Sequence, residues 1–284
     1  MKKHRGVYLL LFLVLAGTVF AMLETKDEYH EIPWRDAGFF FTDTTQKTLL
    51  SCPAADKKAL TFLVLGQSQA ANTNNTVFAS DGNKELLNAW NGKCYRLEDP
   101  VLGASDEGGS LWTVFAQKLY ARLHRPVVIL NYAANGSDAK LWRPDRGDNL
   151  MTRLINDANK YTAQGGKIDY IIYDQGEADA MYETPKQDYK NDLEAIFDYV
   201  QKAFDGEQKI LLFQTSLCPP YTGKSKDILD AQAEVAAARK DTQIVFNTDT
   251  LDRSYRHDGC HFNARGAQVV TDHLVGAVLK TQTE

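Results

Sequence analysis

The chain has 284 residues, 44% of them hydrophobic, and a formal net charge of −5. That length and apolar content support one sizeable α/β core. The acidic balance, with no basic run beyond the first residues, excludes the electrostatic footprint of a nucleic-acid binder, and no internal repeat or low-complexity tract is present.

Residues 1–21 read as an export signal: a basic start with Lys2, Lys3 and Arg5, an apolar stretch, and Val19-Phe20-Ala21 as a cleavage pattern. Removing those three cations moves the net charge from −5 to −8. The alternative is retention of residues 7–23 as an anchor, since about 17 apolar residues is the lower limit for a span. A secreted or periplasmic protein is expected, with no stable membrane partner unless that segment is kept. Residues 22–58 read as a polar, irregular lead-in, and residues 59–284 as the domain. Export makes disulfides of the four cysteines Cys52, Cys94, Cys218 and Cys260.

Apolar runs of strand length recur at 59–65, 126–131, 168–173, 209–214 and 243–247. Helical periodicity lies between them. Leu111, Phe115, Leu119 and Leu123 repeat every four residues behind Ser110 as N-cap. Leu150, Leu154, Ala158 and Tyr161 form a second apolar face, and Leu193, Ile196, Phe197 and Val200 a third. An alanine-rich helix at 231–238 and a closing helix at 267–279 complete the series. Strand alternating with helix predicts a parallel five-stranded sheet covered on both faces. Ligands of such sheets bind beyond the carboxyl ends of the strands, so chemistry is sought there.

The first strand ends in Gly66-Gln67-Ser68, which makes Ser68 either a nucleophile or a helix cap. A serine hydroxyl needs a base, and the base needs an orienting acid. Of six histidines, only His257 and His261 follow a strand, and only His261 has an acid three residues earlier, Asp258. The bland alternative for that pair is a polar loop capping the last helix. His257, Cys260 and His261 lack the further ligands of a tetrahedral metal site, so no metal is expected. Four cysteines allow three pairings. Cys218 and Cys260 follow strands expected to be neighbours, which favours Cys218 with Cys260 and Cys52 with Cys94.

Four blocks in order, "GQSQ", "NGSDAKLW", "QGEAD" and "DGCH", resemble the SGNH (GDSL-like) hydrolase superfamily, in its sialate O-acetylesterase-like and carbohydrate acetylesterase branch. The resemblance covers roughly residues 60–275. It implies a flavodoxin-like three-layer α/β/α sandwich and deacetylation of an acetylated carbohydrate without metal or other cofactor. By that resemblance Ser68 is the nucleophile, His261 the base and Asp258 the orienting acid. The oxyanion hole would combine the N–H groups of Ser68 and Gly136 with the side-chain amide of Gln175. Gln67, Glu177 and Trp142 are candidates for support or substrate contact, Trp142 being either a cleft wall or core. Asp179 reads first as a helix N-cap. Gln69, Asn135 and Ala178 depart from the branch's asparagine, glycine and serine, and Ala178 stands where the wider superfamily has an oxyanion asparagine. The function implied is an exported serine esterase working through an acyl-enzyme. The rivals are a carbohydrate O-acetyltransferase with the same residues and a catalytically silent carbohydrate-binding protein.

Overall fold

The computed structural model describes residues 39–54, 58–146 and 150–283. The expected export signal, and the lead-in as far as residue 38, lie outside the described residues. In chain order the elements are β1 (Leu49–Leu50), β2 (Leu60–Gly66), β3 (Leu86–Trp90), β4 (Lys93–Arg96), α1 (Leu111–Leu123) and β5 (Val127–Ala133). Then follow α2 (Leu150–Thr162), β6 (Tyr170–Asp174), α3 (Glu177–Met181), α4 (Lys186–Phe204), β7 (Lys209–Gln214), α5 (Lys226–Ala238), β8 (Thr242–Asn247) and α6 (Ala264–Thr281). Every residue of β2, β5 and β6 is buried, which is why these strands read as unbroken apolar runs rather than alternating ones.

The sheet order is β1-β4-β3-β5-β2-β6-β7-β8. From β3 through β8 all neighbours are parallel, while β4 runs antiparallel to β3 and β1 antiparallel to β4. The five strands expected from sequence lie in the order β5-β2-β6-β7-β8, the doubly wound flavodoxin-like arrangement with its switch point beside β2.

The expectation of five strands is corrected to eight. The three additions are short, and two of them form a hairpin turning at Asn91-Gly92, with φ of 50° and 72°. Such a pair suits the type I′ turn whose twist matches its strands. The compact unit begins at Phe40 rather than at residue 59. Its first segment is stitched down by the Cys52–Cys94 disulfide, by β1 on β4, and by the Arg153 guanidinium, 3.5 Å from the centre of the Phe40 ring.

Helices α1 and α6 pack together on one face of the sheet. There Phe62 meets Phe115 edge-on at 4.9 Å and stacks on Tyr170 at 5.0 Å. On the other face Tyr173 meets Phe197 of α4 at 5.2 Å, and Thr61 shares a hydrogen bond with Tyr161 of α2. Each such fully buried apolar side chain contributes about 1.5–3 kcal/mol over an exposed one. Ser110 caps α1 as expected, accepting from the Trp112 N–H. Among the described residues no helix is long and apolar enough to cross a membrane.

Candidate active site

Gly66 pairs in register with Ala133 on one side and Asp174 on the other, so three strands release the chain at one level of one sheet edge. A Cβ at Gly66 would lie 2.1 Å from the Asp174 carbonyl oxygen, so only glycine permits this approach. Gln67 N–H donates back to that same carbonyl at 3.1 Å. The chain then turns through a single 3-10 turn, Ser68–Ala70. No side-chain cap hydrogen bond forms at this turn, which removes the helix-cap reading of Ser68. Ser68 is buried at 3% exposure.

The loop after β8 brings in the second half of the site. Asp258 Oδ2 is 2.7 Å from His261 Nδ1, and its Oδ1 accepts the backbone N–H groups of Cys260 and His261, both at 2.8 Å. Partial burial pushes the Asp258 carboxyl up, but these three hydrogen bonds outweigh it and bring it down to about 2. The carboxylate is thus ionised at neutral pH and fixes the imidazole from its Nδ1 side. Cys260 is joined to Cys218 after β7, as the neighbouring strands β7 and β8 allow.

Two residues that sequence reasoning left without a role hold the loops face to face. Gln69 donates from Nε2 to the Cys260 carbonyl at 2.8 Å and accepts from Phe262 N–H at 3.4 Å. One side chain beside Ser68 therefore grips the backbone on both sides of His261. His257 Nε2 donates to the Thr73 carbonyl at 3.0 Å, and the Thr73 hydroxyl donates to the Ser68 carbonyl at 2.7 Å. No hydrogen bond joins the Ser68 hydroxyl to His261 among the described residues. The ligand atoms of His257, Asp258 and His261 lie within 4.8 Å of one another, but one nitrogen of each ring is already committed to Thr73 and to Asp258.

Gly136, with φ of 76°, follows β5 at the same edge. Among the described residues neither its N–H nor that of Ser68 donates to the protein. Gln175 is placed differently from the expectation. It is fully buried, donates to Asp179 and to the Ser137 carbonyl, and accepts from Tyr173 and Tyr189. In this arrangement its amide is committed beneath the site. Gln67, by contrast, accepts the Ala178 N–H at 3.0 Å, and its own amide hydrogens have no partner among the described residues.

Trp142 is corrected from possible substrate contact to core. It has no exposed surface, and its indole N–H supports the loop after β5 through the Ser137 hydroxyl at 2.9 Å. Glu177 is also buried and accepts from Thr215 at 2.7 Å, so it braces the loop after β7. Asp179 is not an N-cap: it lies inside α3, whose cap position is Gly176, and accepts the Ala139 N–H at 2.9 Å. Tyr132 is buried with its hydroxyl on Asp157. Arg256, unremarked in the sequence, is 5% exposed and spends its guanidinium on the carbonyls of Leu251, Cys260 and Thr248.

Beneath the edge lies a group of buried acids. Burial and the neighbouring Glu177 carboxylate push Asp174 well up, and neither of its carboxyl oxygens has a hydrogen-bond partner among the described residues. Burial likewise raises Asp179 to about 7, against the hydrogen bonds from Gln175 and Ala139. An acid raised in the fold favours its protonated form. Its stabilisation is full below the unfolded value near 4 and is lost as pH rises through about 7. The melting temperature should therefore fall between about pH 4 and 7, and Asp179→Asn should lessen that fall. A variant whose pH–melting curve runs parallel to the wild type would contradict this.

Residues 60–280 match the family described as carbohydrate esterase, sialic acid-specific acetylesterase. Among solved structures, the chain is similar to a protein of Arabidopsis thaliana at 18% identity and a TM-score of 0.61, covering 78% of this chain and 98% of that one. It is also similar to a carbohydrate acetylesterase from Xanthomonas citri at 16% identity and a TM-score of 0.56, covering 76% of this chain and 54% of that one. A family two carbohydrate esterase from Clostridium thermocellum aligns at 11% identity with a TM-score of 0.51, over 79% of this chain and 64% of that one. No curated protein matches the chain by sequence. At these identities the solved structures speak to the fold alone, and the family assignment rests on the match across most of the chain. By that match, the chain belongs to the carbohydrate esterase, sialic acid-specific acetylesterase family.

Proposed function

We propose that the protein is an exported serine esterase that removes O-acetyl groups from a carbohydrate through an acyl-enzyme. The observation that carries this reading is the ionised Asp258 bonded to His261 Nδ1 on a loop that Gln69 clamps against the serine turn. With Nδ1 committed as donor, Nε2 holds the lone pair that can accept a proton. His261 takes the Ser68 proton as Oγ attacks the acetyl carbonyl. The tetrahedral oxyanion collapses as His261 returns the proton to the leaving sugar oxygen, and water activated by the same imidazole then releases acetate. The apo hydroxyl need not already contact the base, because such bonds tighten in the substrate complex.

The N–H groups of Ser68 and Gly136 serve the oxyanion, each fixed donor being worth roughly 3 kcal/mol in such a site. The third donor in this reading is the Gln67 side chain, since Gln175 is tied to Asp179. Both disulfides suit the oxidising compartment that export through residues 1–21 would reach.

Acetate release should be measured side by side on acetylated xylan, acetylated sialic acid and acetylated peptidoglycan. At least one should be deacetylated, with kcat/KM falling at acid pH along a single-proton limb. No acetate from any of them would remove the reading. Acetyl transfer to an added acceptor sugar in preference to water would move it to transferase.

A further inference from the structure

The loop after β7 carries an aromatic side chain that neither the chemistry above nor the core uses. Tyr221 is 70% exposed, the most exposed large hydrophobic side chain among the described residues, and its ring and hydroxyl have no hydrogen-bond or ring partner among them. Its backbone, by contrast, is held. The Tyr221 N–H donates to the Cys218 carbonyl at 2.8 Å, closing a tight turn, and the Thr222 N–H donates to the same carbonyl at 3.0 Å. The two residues inside the turn are Pro219 and Pro220, whose rings fix φ. A single exposed aromatic on a free loop would need no explanation. One displayed on a turn this constrained is preorganised, because little freedom is left to lose on binding.

The turn adjoins the loop of Asp258 and His261. Cys218 is bonded to Cys260, which lies between those two residues, with 4.2 Å between the Cα atoms. A turn closed in this way holds its first and last Cα atoms within about 7 Å of each other, so Tyr221 Cα lies within about 11 Å of Cys260 Cα. A Cβ at Gly259 would lie 3.1 Å from the Pro219 carbonyl oxygen, so turn and loop also touch through their backbones. That distance is spanned by a short run of linked sugar rings. A glycan whose acetyl ester sits at His261 thus has neighbouring rings within reach of Tyr221. Sugar rings present faces of C–H groups to an aromatic face, and tyrosine supplies that face with only two side-chain torsions to fix. Such stacking does not depend on the sign of the charges around it.

We infer that Tyr221 is a substrate-binding residue: its ring is the platform for a sugar next to the acetylated one, so the protein prefers acetylated oligosaccharides and polysaccharides to acetylated monosaccharides. The inference rests on the esterase reading and deepens it.

Acetylated trisaccharides from xylan and from peptidoglycan, each set against its acetylated monosaccharide, test it, with p-nitrophenyl acetate as the sugar-free ester. At least one trisaccharide should exceed its monosaccharide in kcat/KM by about three- to tenfold, mostly through KM, the range of one aromatic contact. Tyr221→Ala should bring that ratio towards one, while Tyr221→Phe, which keeps the ring, should retain it. A merely structural role would instead lower kcat on every ester alike. Nitration of the wild-type protein supplies a second arm that needs no variant. Mapped by mass spectrometry, modification of Tyr221 should slow severalfold in the presence of the same trisaccharide without its acetyl groups. Wild-type ratios near one, a ratio that Tyr221→Ala leaves unchanged, or nitration indifferent to the trisaccharide would overturn the inference and leave the esterase reading standing. Cleavage of p-nitrophenyl acetate alone, with every sugar ester untouched, would overturn it too. Hydrolysis of none of these esters would overturn both.

Discussion

Ser68→Ala is expected to lose at least about 10³-fold in kcat for acetate release, with the melting temperature close to that of the wild type. The large effect follows from covalent catalysis, in which no other group can form the acyl-enzyme once the hydroxyl is gone. The small effect on stability follows from its surroundings: the 3-10 turn takes no side-chain cap bond from this residue, and Thr73 bonds its carbonyl rather than its hydroxyl. His261→Ala should be nearly as damaging, because nucleophile and base act as a unit and their losses do not add. A phosphonate reagent should add one mass label, on the peptide containing Ser68, and the alanine variant should take none. Labelling at another residue, with turnover intact in Ser68→Ala, would displace the nucleophile assignment.

Replacing Cys218 and Cys260 together by alanine should lower both stability and kcat. The bond closes a loop of sequence separation 42. In the chain-entropy model that constraint on the unfolded chain is worth about 3–4 kcal/mol, or roughly 10 °C in melting temperature for a domain of this size. The kinetic effect has a separate origin. Cys260 lies between Asp258 and His261, its N–H donates to Asp258, and its carbonyl accepts from Gln69 and Arg256. Cutting the tether to the β7 side leaves these hydrogen bonds alone to hold the imidazole, and catalytic geometry tolerates only about 0.5 Å of slack. The loss should therefore fall on kcat more than on KM. Thermal melts with steady-state kinetics on the double variant decide this. A variant that melts lower but turns over normally would show that the bond serves stability alone. The Cys52–Cys94 bond ties β4, beside the edge strand β1, to the first segment of the domain, so its removal should cost stability and spare kcat.

Much of this protein is determined by its sequence because the signals are local. A strand buried on both faces must be apolar at every position, and a helix on a sheet must repeat its apolar residues every three or four. Those two periods mark β2, β5, β6, β7 and β8 and the helices between them. Asp258 and His261 were legible together because three residues separate them, and their hydrogen bond needs only a turn. The Cys218–Cys260 pairing was legible because parallel topology makes β7 and β8 neighbours.

The short edge strands were weaker signals, although Asn91-Gly92 between Trp90 and Lys93 is a hairpin turn in plain view. What only the tertiary structure decided are contacts between segments far apart in the chain. Gln69 grips Cys260 across 191 residues, and no local pattern distinguishes it from any polar turn residue. Trp142 and Gln175 carry side chains that suit either a cleft or an interior. Packing placed both inside, where hydrogen bonds to Ser137 and Asp179 satisfy them. Periodicity specifies which face of an element is buried. Which polar group meets which is specified only by the packing of those faces against one another.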